Sequence, residues 1–400
     1  MTGNPSGIPR EGEALCMDGN NTFLEFYAES KERLERKIKE YNEKFGREPH
    51  PLLRPFFEDF ADLNEGGKLL RGVFVNLGYA LALAEKEKSR NPGTAQKTPR
   101  EKSLSAAVSD PLAMAFEIFQ TAVLIHDDVI DHAELRRGNR TSHFRYADRL
   151  SERGIFDRAG DTPSSAAICL GDAGLYAANQ MIAESCSEDP ALGKMIAYFD
   201  GVVIDTIRGE LLDVILPCEI GDRSLGREEA DRLLSISVRE IYYLKTARYS
   251  VIGPLHLGML QGGASEELME KVDSFAEEAG VAFQIKDDIF GIFADEKKLG
   301  KDIGSDIAEA KLTILYEYVK LHDPAVCGEL AGVYGHAPVT EEMLQRVQRI
   351  FRESGAYAYA LDEMEKCFQR AEECLRDTAL PENDKDLLRG LLDYFRGRDK

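Results

Sequence analysis

Nearly the whole chain repeats one pattern, with apolar residues three or four apart and charged residues between them. The pattern begins near Asn21, in TFLEFYAESKERLERKIKEYNEKF, where Glu, Lys and Arg fill the intervening positions. It recurs in LLRGVFVNLGYALALAEK, DPLAMAFEIFQTAVLIHDD, SAAICLGDAGLYAANQMIAES and REEADRLLSISVREIYYLKTARYSV. SEELMEKVDSFAEEAGVAFQIKDD and EMLQRVQRIFRESGAYAYALDEMEKCFQRAEECL carry it almost to the end. No convincing series of alternating short strands with turn dipeptides interrupts it. Helices with an apolar stripe must bury that stripe against one another, so the expected fold is all-α.

The pattern lapses in three places. Residues 1–20 are rich in Gly, Pro, Asn and Glu and read as a flexible tail. Residues 86–109 and 148–164 are polar, with Pro and Gly, and read as surface loops. Apolar periodicity continues on both sides of each, so 21–400 is expected to be one helical domain with two insertions. At 400 residues this is long for one domain but possible.

A formal net charge of −21 argues against nucleic acid or an anionic membrane as the main partner, because both require a basic footprint. The seven cysteines are scattered without a C-x-x-C pair, which is neither a disulfide framework nor a zinc site. The first residues, MTGNPSGIPREGEAL, lack a basic segment followed by an apolar core. No run approaches the roughly 18 apolar residues of a membrane span. The expected compartment is the cytoplasm, with no transmembrane segment.

Residues 124–138, LIHDDVIDHAELRRG, place Asp127, Asp128 and Asp131 just beyond a run that reads as buried. Buried carboxylates are costly unless paired or metal-bound. Positions i and i+4 share a helical face, so Asp127 and Asp131 point the same way, with Asp128 turned aside. A second pair, Asp287 and Asp288, is expected to end the apolar helix VAFQI, whose negative dipole end favours a cation. Magnesium takes hard oxygen ligands and keeps waters and substrate phosphates, so one helical face with two carboxylates offers a partial shell. A solvated acidic face is the ordinary alternative in a chain with 71 Asp and Glu.

Three basic sets could hold anions. In GGKLLR, Lys68 and Arg71 are three apart and would share a helical face behind a Gly pair. Arg136 and Arg137 add planar, bidentate phosphate donors. Lys245 and Thr246 lie inside the apolar stretch YYLKTARYS, where a lysine can also simply snorkel. Two acidic and three basic clusters are what a site for two diphosphates needs, one held through Mg²⁺ and one held directly.

From about Gly66 to Thr313 the chain resembles the trans-isoprenyl diphosphate synthases, or polyprenyl synthetases. GGKLLR, DDVID with RRG downstream, LGDAGL, LKT, and FQIKDD with GKDIGSD occur in that family's order. The resemblance implies an isoprenoid-synthase-like bundle of long helices around a central cavity, usually a homodimer. It implies a transferase that joins isopentenyl diphosphate to an allylic diphosphate, with three Mg²⁺ in the active site. Asp127, Asp131 and Asp287 would bind metal, supported by Asp128 and Asp288. Arg136, Lys245 and Lys301 would contact the allylic diphosphate. Thr246 and Gln284 would line the reacting carbons, and Lys68, Arg71, Gln120 and Arg137 would hold isopentenyl diphosphate. The chain departs from the family's pattern in three places. Gly291 stands where many members have a third aspartate, Gln120 where many have histidine, and residues 309–311 read EAK where EGK is common. That last departure leaves Lys311 without an assigned role.

In the family, product chains grow beside the first acidic helix. Ala122 and Val123, five and four residues before Asp127, are small, whereas aromatic residues there stop growth at farnesyl. Phe119 and Phe116 lie eight and eleven residues before Asp127 and would form a deeper floor. Each three-residue step is about 4.5 Å, close to one isoprene unit, so the expected product is geranylgeranyl diphosphate or one or two units longer. Ordinary core packing is the alternative for both rings. For the whole chain, the competing functions are a class I terpene cyclase and a non-catalytic subunit of a heteromeric synthase. A structural helical protein would explain the composition but not the ordered motifs.

Overall fold

A computed structural model describes residues 21–48, 50–90, 109–157, 160–221, 225–293, 304–336, 338–376, 378 and 380–398. Its helices are α1 (Asn21–Phe45), α2 (Arg54–Leu63), α3 (Leu70–Arg90), α4 (Asp110–Ile130), α5 (Ser142–Glu152), α6 (Thr162–Ser185) and α7 (Leu192–Glu219). Then follow α8 (Arg227–Ile241), a π-helical segment (Tyr242–Ile252), α9 (Gly253–Gly262), α10 (Glu266–Phe293) and the single turn α11 (Ser305–Ala308). The chain closes with α12 (Ile314–His322), α13 (Pro324–Leu330), α14 (Glu341–Glu353), α15 (Ala356–Arg376) and α16 (Glu382–Gly397).

The all-α reading holds, with one addition. Leu135–Arg136 (β1) and Asn139–Arg140 (β2) form a minimal antiparallel ribbon, Arg136 facing Asn139. It is too short for the period-2 pattern that marks longer strands. The polar stretches are shorter than their sequence limits. Helix α3 runs to Arg90, because exposed Lys and Glu are good helix formers. Residues 91–108 and the tail 1–20 lie outside the described residues. Helices α5 and α6 likewise extend to Glu152 and back to Thr162.

Helix α4 begins with a proline in its first turn and is buried on nearly every side, as its almost continuous apolar run demands. It packs on α6 and α3. Helix α3 packs on α9, and α10 on α15. The π-helical segment lies against both α7 and α10. Gly209 and Gly280 permit this, since a Cβ at either would meet the backbone of Lys245 or Ala247 within 2.8 Å. These contacts bring the two acidic helix regions to one end of the bundle.

Candidate active site

Helix α4 ends at Ile130, and Asp131 closes it with its N–H on the Asp127 carbonyl at 2.8 Å. Asp127, Asp128 and Asp131 therefore sit at the negative end of a helix dipole, where carboxylates are disfavoured. Cations from three other places answer them. The ribbon turns through Arg137 and Gly138, both at positive φ (54° and 78°), as a two-residue hairpin loop requires. This tight turn carries Arg136 back to α4, where Nη2 donates to Asp127 and Nε to Asp128, each at 2.6 Å. Lys245 comes from the π-helical segment and lies 3.8 Å from Asp127, 2.7 Å from Glu210 and 2.8 Å from Asp213. Lys311 lies 3.4 Å from Asp131 and 2.6 Å from Glu309.

The electrostatics follow from those contacts. Burial alone pushes Asp127 up, but Arg136, then Lys245 and Lys311, hold it down at about 2. Asp131 is raised, chiefly by burial and then by the negative charge of Asp127, against the pull of Lys311. Lys245 stays charged although buried, because Asp213, Asp127 and Glu210 surround it.

The second pair is built differently. Helix α10 does not end after Asp288 but runs on to Phe293. Asp288 is buried and accepts hydrogen bonds from Tyr242 and from Gln284 Nε2 (2.7 Å). Tyr242 Oη in turn accepts from the Ile314 N–H at 2.8 Å. Burial, reinforced by Asp306 and Asp287, pushes Asp288 up to about 8. Asp287 pairs at 2.7 Å with Arg398, near the C-terminus. Thr246 donates to Gln284 Oε1, so Thr246, Gln284 and Asp288 form one chain of hydrogen bonds.

On the far side of the RRG turn lies a basic recess. Arg71 stacks 4.0 Å above the Tyr249 ring and donates to Gln120 Oε1 (2.5 Å) and Ser250 Oγ (2.7 Å). Arg137 reaches the head of α3, where a Cβ on Gly67 would lie 3.2 Å from its Nη1. Burial, then Arg136 and Arg71, depress the Arg137 guanidinium, and Glu117 only partly offsets them. Arg71 Nε and Tyr249 Oη are buried without a partner in the protein. An anion would relieve both conditions. Lys68 is not on the helical face of Arg71. Leu69 takes φ +52° and α3 starts only at Leu70, so Lys68 belongs to the preceding turn, its carbonyl held by Tyr27 Oη at 2.8 Å. Lys301 lies outside the described residues.

The sequence pattern of the family described as polyprenyl synthetase matches residues 54–351, about three quarters of the chain. The chain belongs to that family. Geranylfarnesyl diphosphate synthase of Aeropyrum pernix is 30% identical over 295 residues, 72% of this chain and 83% of the relative. Geranylgeranyl diphosphate synthase of Sulfolobus acidocaldarius is 29% identical over 304 residues, 74% of this chain and 77% of the relative. Among solved structures, geranylgeranyl pyrophosphate synthase of Corynebacterium glutamicum, complexed with isoprenyl diphosphate and magnesium, superposes with a TM-score of 0.75. At 23% identity, over 95% of this chain and 99% of that one, it establishes the shared fold. This polyprenyl synthetase is thus a chain-elongating trans-prenyltransferase with the all-α isoprenoid synthase fold. Among its described residues no helix is long and apolar enough to cross a membrane.

The donor set of the synthetase fits a hard divalent cation. Its candidate ligands are carboxylates, and cationic side chains pair with Asp127, Asp131 and Asp287. Among the described residues no three Asp, Glu, His or Cys side chains form a ready-made metal cage. Magnesium seldom uses such a cage, relying instead on one or two carboxylates together with substrate phosphates and water.

Several site residues had no signal in the sequence. Glu210, Asp213 and Tyr242 carry no motif and arrive by packing. Lys311 had a partial signal, since Ala310 adopts φ +57°, a conformation that suits the glycine common at this position. Along α4, Phe116 and Phe119 are fully buried and form a three-ring cluster with Phe199 of α7. Phe199 makes near-perpendicular contacts at 5.4 Å to Phe116 and 5.5 Å to Phe119, while Phe119 also meets Tyr249 at 5.2 Å. Val123 is only partly buried, whereas Ala122 abuts Gly174 of α6.

Proposed function

We propose that this synthetase condenses isopentenyl diphosphate with an allylic diphosphate to give all-trans geranylgeranyl diphosphate, or a product one or two units longer. The observation that carries the proposal is the pairing of a cation-ringed carboxylate cluster with a separate, under-compensated basic recess. The first suits a diphosphate bridged by metal, with Asp127, Asp131 and Asp287 holding up to three Mg²⁺ and Asp128 and Asp288 behind them. The second suits a diphosphate bound directly by Lys68, Arg71, Gln120 and Arg137.

Bound magnesium would supply Lewis-acid stabilisation of the charge that develops on the departing diphosphate. Arg136, Lys245 and Lys301 add fixed positive charge at the same oxygens, strengthened by exclusion of water. Lys311 reaches Asp131 and joins them. The allylic C–O bond breaks and its electron pair leaves with the diphosphate. The double bond of isopentenyl diphosphate, anchored through Arg71 and Arg137, then attacks the allylic carbon. A proton leaves the adjacent carbon for a diphosphate oxygen as the new double bond forms. Thr246 and Gln284 oxygens face this reaction and ease the carbocation.

Growth ends where the chain meets Phe119, Phe116 and Phe199, beyond the more open Val123. Phe119→Ala and Phe199→Ala are each expected to lengthen the product by one or more isoprene units. Unchanged length in both would remove the floor. The outer face of α7 carries Ile204, Ile207, Leu211 and Val214, each 47–59% exposed, at helical spacing. That stripe supports a homodimer in which α7 meets its own copy, and a monomer by light scattering would refute it. The charge balance, and the absence of a membrane-spanning helix among the described residues, are consistent with a cytoplasmic enzyme acting without nucleic acid.

The deciding experiment is incubation of the purified chain with isopentenyl diphosphate, Mg²⁺ and dimethylallyl, geranyl or farnesyl diphosphate. Products are read by mass spectrometry against an EDTA control. A metal-dependent ladder ending at one length is expected. One relative, 26% identical over 342 residues, is the heptaprenyl diphosphate synthase component 2 of Geobacillus stearothermophilus. Failure of the isolated chain to elongate any primer would therefore favour a subunit role.

A further inference from the structure

We propose, resting on the function set out above, that Arg248 is a positioning residue: it clamps the π-helical segment to α7 and so keeps Lys245 aimed at the allylic diphosphate. The segment runs for 11 residues, Tyr242–Ile252, although π-winding usually lasts a single turn. Its last bond shows the winding, the Gly253 N–H donating to the Arg248 carbonyl five residues back. Gly209 and Gly280 let the segment approach α7 and α10 closely, but close approach alone does not choose a winding. The segment feeds both halves of the site. Lys245 reaches Asp127, Thr246 donates to Gln284, and Tyr249 and Ser250 contact Arg71. A turn that reverted to α-helical phase would re-aim them all.

Arg248 follows Lys245 by three residues and has no part in the chemistry described above. Its side chain turns to α7, where Nε donates to Asp205 at 3.2 Å and Nη1 to Tyr198 Oη at 2.5 Å. Two donors on one planar guanidinium fix its direction as well as its distance. The side chains of Arg248 and Asp205 are only 16% and 23% exposed, so the pair is largely shielded from water. The same helix presents Glu210 and Asp213 to Lys245. One stretch of α7 therefore holds the segment at two points, at Lys245 and at Arg248. The clamp is itself braced. Tyr198 stacks on His256 of α9, ring centroids 4.1 Å and planes 9° apart, and His256 Nδ1 lies 2.8 Å from Asp273 Oδ2 of α10. Helices α7, α9 and α10 are thus tied through one guanidinium to the segment between them.

The test is a double-mutant cycle on the full chain, read as kcat/KM for geranyl diphosphate at saturating isopentenyl diphosphate and Mg²⁺. Arg248→Met keeps the apolar stem and removes the donors. It is expected to lower kcat/KM by up to about 100-fold, the scale for misplacing a group by about 1 Å. Arg248→Lys keeps the pair with Asp205 but not both bonds, and is expected to fall between Arg248→Met and the native chain. Arg248→Met/Lys245→Met is expected to lose far less than the product of the two single losses, because residues that act as a unit are not additive. A residue that only supports the fold would multiply with Lys245→Met instead, and that result would overturn the proposal, as would native kcat/KM in Arg248→Met. Tyr198→Phe removes one arm of the clamp without changing bulk, and carries the same cycle if Arg248→Met does not fold. Lys245→Met separates the two levels of inference. If it elongates like the native chain, the use of Lys245 in the proposed function fails, whereas a loss in Lys245→Met without one in Arg248→Met sinks only the clamp.

Discussion

The two acidic clusters carry similar motifs and live in opposite electrostatic conditions. The first stands at the true end of a helix, with Arg136, Lys245 and Lys311 around it, and Asp127 stays ionised down to about pH 2. The second lies within α10, short of its end. Its inner member, Asp288, is buried against neutral donors, Tyr242 and Gln284, and rises to about 8. An Asp-Asp pair is therefore not a unit of charge. What surrounds it decides whether it awaits a metal already ionised or acts as a hydrogen-bonded support.

The strongest way to break this contrast is to neutralise each cluster in turn. Asp127→Asn removes a carboxylate on which Arg136 and Lys245 converge, and it is expected to lower kcat/KM by on the order of 10³-fold, comparable to losing a main electrostatic contact in other enzymes. Asp288→Asn keeps the shape and one of the two accepted hydrogen bonds, so a loss of about 10-fold is expected, in the range for a supporting residue. Steady-state elongation assays on the two variants decide the matter. Equal losses would erase the distinction between the clusters.

The legibility of these regions differed for physical reasons. The apolar runs before Asp127 and Asp287 follow the helical period, so α4 and α10 were readable in outline. The ordered motifs also named most of the residues that converge. The far end of α10 was not readable, because nothing in DDIFGIF stops a helix. The π-helical winding around Lys245 was hidden, since it depends on backbone contact with Gly209 and Gly280 from distant segments. Lys68 leaves the helical face that its spacing predicts, because a leucine at positive φ is uncommon and has no sequence signature. Phe199 and Tyr242 carry no sequence signal for the same reason as Glu210 and Asp213. Each is recruited across the fold, and local spacing carries no record of that.

A pH titration of stability sharpens the contrast further. Asp288 binds its proton more tightly in the folded chain than in the unfolded one, where a carboxylate sits near 3.8. Its contribution to stability is therefore fully present below that value and is lost as pH rises through about 8. In metal-free protein, Asp288→Asn is expected to flatten the decline of stability across that window, by at most about 1.4 kcal/mol per pH unit. Denaturant midpoints at several pH values measure it. An unchanged slope would mean that Asp288 is ionised without metal, like Asp127.

The smallest effect is expected at Arg398, which holds Asp287 from near the C-terminus. With side chains 13% and 35% exposed, the pair is only partly shielded, and partly exposed ion pairs contribute about 0–1 kcal/mol. Arg398→Ala should therefore shift the Tm by no more than about 2 °C. Its effect on metal should have the opposite sign to that of Asp127→Asn, because Arg398 occupies the carboxylate that a cation would need. Removing it is expected to tighten Mn²⁺ binding by up to about fivefold, the equivalent of the same 0–1 kcal/mol. Weaker Mn²⁺ binding in Arg398→Ala would show instead that the arginine orients Asp287 for the metal. The second cluster would then depend on a cationic neighbour as the first depends on Arg136.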